Sequence, residues 1–84
     1  MKKRTLAIIN ELLANRDMCT ITDLAEKFSV SQRTIRNDLN DISGILRENG
    51  KEELTLAGGG KILCAEDFES IRQFTAEEDL YSYK

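Results

Sequence analysis

Thr20-Ile21-Thr22-Asp23-Leu24-Ala25-Glu26-Lys27-Phe28 is followed by Ser29-Val30-Ser31 and then by Gln32-Arg33-Thr34-Ile35-Arg36-Asn37-Asp38-Leu39-Asn40-Asp41-Ile42-Ser43-Gly44-Ile45-Leu46. Thr20 is a helix-capping residue with Asp23 three positions on, where a short acid can return the bond. Leu24, Ala25 and Phe28 then give the buried side of a helix barely two turns long. Ser31 caps a second helix, predicted from Gln32 to about Leu46, in which Ile35, Leu39, Ile42 and Leu46 recur at helical spacing. The opposite side carries Gln32, Arg33, Arg36, Asn37 and Asn40, donors crowded into the first turns.

On the N-terminal side, residues 5–14 predict a helix with Leu6, Ile9, Leu12 and Leu13 on one face, stopped by Asn15-Arg16-Asp17. Met18-Cys19-Thr20 leaves room only for a connector or a very short strand. On the C-terminal side, Gly44 is a weak spot worth about 1 kcal/mol against Ala, and Asn49-Gly50 ends the helix. Leu54-Thr55-Leu56 and Ile62-Leu63-Cys64 are β-prone runs around Ala57-Gly58-Gly59-Gly60-Lys61, a hairpin with a flexible tip. Phe68, Ile71 and Phe74, preceded by acids, predict a short fourth helix over Glu66 to Phe74. Residues 75–84 read as an acidic linker to further domains.

The expected fold is therefore mainly α with a small β-hairpin, a winged helix-turn-helix: three helices, a wing and a short C-terminal helix. The expected division is a winged helix-turn-helix domain over 1–64 and a helix and linker over 65–84, leading to downstream regulatory domains.

Composition narrows what such a unit can do. With 84 residues, 40% of them hydrophobic, the chain is one small domain, too small for an enzyme of ordinary size. Twelve basic against 15 acidic side chains exclude a uniformly basic coat but not a local basic surface. Residues 1–61 hold ten basic and nine acidic side chains, residues 62–84 two and six, so the acidity sits in the tail. No histidine is present, which removes the commonest general base and zinc ligand. Cys19 and Cys64 lack metal-ligand spacing and read as small apolar residues under a sheet, with a disulfide as the minority alternative. Neither a metal nor a cofactor is expected. Lys2-Lys3-Arg4 is followed by apolar positions broken by Asn10, Glu11 and Asn15, so no signal peptide or span is expected and the cytoplasm is the expected location. Gly58-Gly59-Gly60-Lys61 resembles part of a phosphate-binding loop. Ile62 stands in place of its Ser/Thr and Thr55 in place of its first glycine, and a hairpin tip accounts for the glycines better. Glu52-Glu53 and Glu77-Glu78 are neighbours in polar runs that point apart or outward, and no serine has a histidine to activate it, so catalysis is not expected.

A helix-turn-helix works because its second helix presents N-terminal side chains to base edges in the major groove while the first crosses the backbone. Arginine matches guanine O6/N7 and Asn or Gln matches adenine N6/N7, which makes Gln32, Arg33, Arg36 and Asn37 the candidate readers, with Asn40 on the same face. Ser31, Thr34 and the unpaired N–H groups at the helix start suit phosphate. Lys61 at the hairpin tip is placed for a phosphate or the minor groove, and Lys51 is a second candidate. Asp38 and Asp41 are discordant beside a groove and are expected to turn sideways toward Arg or Lys of a neighbouring element. Lys2, Lys3 and Arg4 read equally as phosphate contacts or as a solvated end. The bland alternative is that the donor face is the wet side of an amphipathic helix. The functional alternative is a winged helix that binds protein instead of DNA.

Residues 21–39 closely resemble the DeoR-type helix-turn-helix pattern, in which a Leu-Ala-x-x-Phe-x-Val-Ser turn leads into Arg-Thr-Ile-Arg-x-Asp-Leu. With the Ala57-Gly58-Gly59-Gly60-Lys61 wing and the acidic stretch after Phe74, the longer chain is similar to the N-terminal domain of bacterial activators of the mannitol- and lichenan-operon type. Those activators carry phosphotransferase-regulated (PRD) domains. It also resembles the repressor domain of bifunctional biotin ligases. The resemblance implies sequence-specific binding of double-stranded operator DNA, with Ser31, Gln32, Arg33, Thr34, Arg36 and Asn37 entering the major groove on the third helix. It further implies carbohydrate-uptake operons and phosphotransferase-system partners acting through histidines beyond Lys84. A homodimer in the full-length protein is expected because the chain is net acidic and two half-sites add their contacts.

Overall fold

The computed structural model describes residues 3–16 and 18–74. Helices α1 (Lys3–Ala14), α2 (Ile21–Phe28) and α3 (Gln32–Glu48) are followed by β1 (Thr55–Ala57), a tight 3-10 turn Gly58–Gly60, β2 (Lys61–Leu63) and a 3-10 helix Glu66–Ser70. Residues 71–74 continue as a helical turn. The expected three helices, wing and short C-terminal helix are all present. Lys2, Asp17 and the linker expected at 75–84 lie outside the described residues.

In α1 the buried residues are Thr5, Ile8, Ile9 and Leu12, whereas Leu6 and Leu13 are only half-buried. The helix is therefore rotated from the face expected. Positions 5, 8, 9 and 12 form an unbroken i, i+3, i+4, i+7 stripe, and it is hidden in the sequence because its first member is a polar threonine. In α2 and α3 the apolar phases fall where the sequence puts them: Leu24 and Ala25, then Ile35, Leu39, Ile42 and Leu46, all buried in one core.

The wing is a two-stranded antiparallel sheet pairing Thr55 with Leu63, Leu56 with Ile62 and Ala57 with Lys61. Each strand lies one residue from its expected place, because the turn is confined to Gly58–Gly60, where Gly59 and Gly60 both take positive φ (78° and 77°). A Cβ on Gly60 would also meet Ile21 at 3.7 Å. The hairpin does not hang free. Thr20 bridges Lys61, and the Ile62 N–H donates to the Cys19 carbonyl at 2.9 Å, so the connector before α2 serves as a third, minimal strand.

The segment after the wing is part of the same unit. The helix expected over 66–74 is kinked at Asp67 and begins as 3-10, yet it plants Phe68 (1% exposed) and Ile71 (0%) in the core. Arg16 donates to the carbonyls of Ala65 and Glu66, and Lys51 pairs with Asp67 at 3.6 Å. Residues 65–71 are thus packed against the three helices.

One ion pair joins α1 to α3. The Asp38 carboxylate is wholly buried, and Arg4 clasps it through Nε at 2.5 Å and Nη2 at 3.3 Å. That hydrogen bond holds the Arg4 guanidinium above even its ordinary range, with burial working against it. Of the basic N-terminal triplet, Arg4 thus commits two of its five donors to the fold.

Two stability outcomes follow. Gly44 lies within α3, where an added Cβ would meet no neighbouring element within 4 Å, so Gly44→Ala should stabilise the fold by about 0.5–1 kcal/mol and raise the thermal midpoint by a few degrees in a circular-dichroism melt. Arg4→Ala should lower that midpoint well below that of Lys27→Ala, which breaks only the exposed Lys27–Glu11 pair. Equal melts for those two variants would show that Arg4 does not hold the buried carboxylate.

Candidate nucleic-acid interface

The geometry of the candidate surface begins at the end of α2. Ser29 adopts a left-handed conformation (φ 55°, ψ 44°), its N–H reaching the Glu26 carbonyl at 3.3 Å while the Val30 N–H reaches Ala25 at 3.0 Å. These two bonds form a Schellman closure, which stops α2 and reverses the chain within three residues. Ser31 then opens α3: its Oγ accepts the Thr34 N–H at 3.1 Å and shares a second hydrogen bond with Thr34 Oγ1 at 3.0 Å. At the other end of the pair, Thr20 Oγ1 accepts the Asp23 N–H at 3.0 Å. Both caps stand where the sequence reading puts them.

At about 100° per residue, Gln32, Arg36, Asn40, Arg33 and Asn37 occupy an arc of roughly 140° on α3, opposite Ile35, Ile42 and Leu46. All five are exposed, as is Ser31, while Thr34 is half-buried and engaged with the cap. Gln32 Nε2 also leans toward Thr22 Oγ1 on α2 at 3.5 Å. Asp38 has turned sideways into the core to meet Arg4, as expected of an acid beside such a face, and Asp41 lies on the exposed flank.

The cations divide into two sets. Arg4, Arg16, Lys27, Arg47 and Lys51 are engaged by Asp38, the 65–66 carbonyls, Glu11, Glu53 and Asp67 respectively. Lys51, the second wing candidate, therefore has an acid already. Arg33, Arg36 and Lys61, and away from this surface Lys3 and Arg72, have no hydrogen-bond or ion-pair partner among the described residues. Lys61 is exposed at the start of β2, beside the glycine turn, and on the opposite sheet face from the Leu56–Ile62 pair.

One feature of this surface is not legible in the sequence. Arg36, Leu39, Asn40 and Ser43 of α3 face Leu54 and Leu56 across an open groove of about 220 Å³. Leu56 remains 48% exposed, although its cross-strand neighbour Ile62 is fully buried. Strand alternation alone assigns both to the inside, and only the position of β1 at the outer edge of the wing separates them.

Cys19 is buried and Cys64 half-buried, and neither lines the groove. Burial pushes the Cys19 thiol up, Glu11 and Asp23 add to the effect, and Sγ donates to the carbonyls of Glu11 and Asn15. Among the described residues no group of three or more His, Cys, Asp or Glu side chains could hold a metal ion, and no helix is long and apolar enough to cross a membrane.

The profile of the DeoR-like helix-turn-helix domain matches residues 6–51, more than half of the chain, from α1 to just beyond α3. No curated protein and no solved structure matches the chain.

The double use of Ser31, as cap and as a neighbour of the exposed donors, can be separated by substitution. Ser31→Ala should cost about 1 kcal/mol of stability, and Ser31→Asp should keep the cap and the stability. The aspartate should nevertheless weaken binding to duplex DNA, because it sets a negative charge beside the reading face. Undiminished binding by Ser31→Asp would place the nucleic acid elsewhere.

Proposed function

The chain belongs to the DeoR-like helix-turn-helix family, and from that membership we propose that it binds double-stranded DNA sequence-specifically, with α3 in the major groove and the wing on the flanking backbone or minor groove. The observation that carries this reading is the partnerless state of Arg33 and Arg36. Two exposed guanidiniums stand on one arc with Gln32, Asn37 and Asn40, in a fold that has found an acceptor for most of its other cations. Guanidinium and carboxamide groups are the side chains that fit the major-groove edges of guanine and adenine. In this reading Arg33, Arg36, Gln32, Asn37 and Asn40 read bases, Ser31 and Thr34 with the first-turn N–H groups take a phosphate, and Lys61 takes a phosphate or the minor groove.

The finer setting rests on the resemblance of residues 21–39, the glycine wing and the acidic stretch after Phe74. It makes the chain the N-terminal, non-enzymatic module of a cytoplasmic bacterial regulator of carbohydrate-uptake operons, governed by phosphotransferase-system proteins through downstream PRD domains. A net charge of −3 on the 84 residues limits the affinity of one module, so operator-grade binding needs a homodimer that joins two half-sites.

Selection from random duplexes followed by fluorescence anisotropy tests the reading. Arg36→Ala should cost about 1–3 kcal/mol on the selected site and relax preference at one base position. Lys61→Ala should weaken binding about equally on all sequences and reduce the salt slope by about one. Equal loss on selected and random duplexes for both variants would overturn the assigned roles. Absence of binding at low salt, with a partner protein captured through the α3 face instead, would favour the protein-binding alternative.

A further inference from the structure

We propose that the groove between α3 and β1 seats the deoxyribose edge of one DNA strand, and that Leu56 is the residue that contacts it. The proposal rests on the duplex-binding reading above and extends the contact surface to the outer strand of the wing. The edge of a deoxyribose is a run of C–H groups set between two phosphates. A complementary receptor needs an apolar wall with donors beside it, and the groove has that composition. Leu54 and Leu56 form one wall, and Leu39 with the stem of Arg36 forms the other, while Arg36 and Asn40 bound the groove on its polar side and extend their head groups toward the base edges.

Three observations favour this occupant. The α3 wall is continuous with the donor face, since Arg36 and Asn40 belong to both, and Arg36 has no partner among the described residues. The β1 wall presents no cation and no side-chain donor, so it suits a sugar and not a phosphate. The groove is also built into the fold: the Leu54 N–H donates to Ser43 Oγ at 3.2 Å, which ties the start of the wing to the middle of α3 and sets the separation of the walls. A second copy of this chain seated symmetrically on the groove would bring two unpaired Arg36 side chains to one interface, and like charges there repel.

The experiment titrates a short mixed-sequence duplex with the 84-residue chain and its Leu56→Ala and Leu56→Lys variants at several salt concentrations, by fluorescence anisotropy. Leu56 is half exposed, so both variants should melt near the wild type, and a circular-dichroism melt checks this. Leu56→Ala should weaken binding about three- to tenfold at every salt concentration with an unchanged slope, because it loses apolar contact and releases no counterion. Leu56→Lys should bind with a slope steeper by about one, because an ammonium beside the sugar reaches the neighbouring phosphate. Wild-type affinity and slope in both variants would overturn the proposal. So would self-association of the wild type, seen by sedimentation and abolished by Leu56→Ala, since the groove would then cover a second copy. If Arg33→Ala/Arg36→Ala binds the duplex as tightly as the wild type, the placement of α3 has failed, and the groove proposal falls with it for that separate reason.

Discussion

The arrangement depends on one buried carboxylate. Asp38 sits on the inner side of α3 with no solvent exposure, and the guanidinium of Arg4 reaches it from the first turn of α1. A charge in that position is costly unless held, and this makes the pair a constraint on geometry more than a source of stability. Apolar contacts between α1 and α3 would tolerate a small slide along the helix axes. A two-point guanidinium–carboxylate contact would not, because its hydrogen bonds are directional. The pair therefore fixes the register of α3 against α1, and together with the buried Ile35, Leu39, Ile42 and Leu46 it fixes which side of α3 faces the core. That orientation decides which side chains face outward: with Asp38 inward, Arg33, Asn37 and Asn40 point away from the core.

A second constraint fixes where α3 begins. Ser29 takes a left-handed conformation that a β-carbon disfavours, and the two hydrogen bonds that close α2 hold it there. Because the reversal is completed within three residues, the cap at Ser31 follows at once and the unpaired N–H groups of α3 emerge close to the side of α2. The wing is set against the same region from the other direction. Ile62 bonds to the Cys19 carbonyl just ahead of α2, and Leu54 bonds to Ser43 on α3. Turn, cap and hairpin are thus referred to one rigid pair of helices, which is what a surface that must match a duplex requires.

Much of this was legible in the sequence because the signals are local. Thr20 and Ser31 are caps whose bonds close within three residues, and α3 repeats its apolar positions over about three turns. The readings that moved were those that depended on distant partners. The face of α1 was misplaced because Thr5 is polar and its burial is dictated by what packs over it. The segment 66–74 looked like a regular helix ahead of a linker, but it is drawn into 3-10 geometry where Phe68 fills the core and Arg16 takes the Ala65 carbonyl. Asp38 could be recognised as out of place on a DNA-facing helix, but the identity of its partner, 34 positions earlier, is a tertiary fact. For the donor face, Gln32, Arg33, Arg36, Asn37 and Asn40 are brought together by α3 as the spacing implies, whereas the groove at Leu56 arises only when β1 becomes the outer edge of the wing.

The charge distribution explains how a net acidic chain can present a surface fit for an anion. Net charge counts every side chain alike, but a cation that already faces a carboxylate contributes little field beyond about a Debye length, roughly 8–10 Å at ordinary salt. Arg4, Lys27, Arg47 and Lys51 are neutralised in this way by Asp38, Glu11, Glu53 and Asp67, and each pair takes one acid out of the balance as well. What remains near the turn and the wing is Arg33, Arg36 and Lys61, while six of the 15 acids lie beyond residue 61. The ion pairs therefore do more than hold elements together. With those acids already matched to other cations, Arg33 and Arg36 on α3 and Lys61 on the wing stay open to an outside anion, while the other unpaired cations, Lys3 and Arg72, lie on α1 and after the wing.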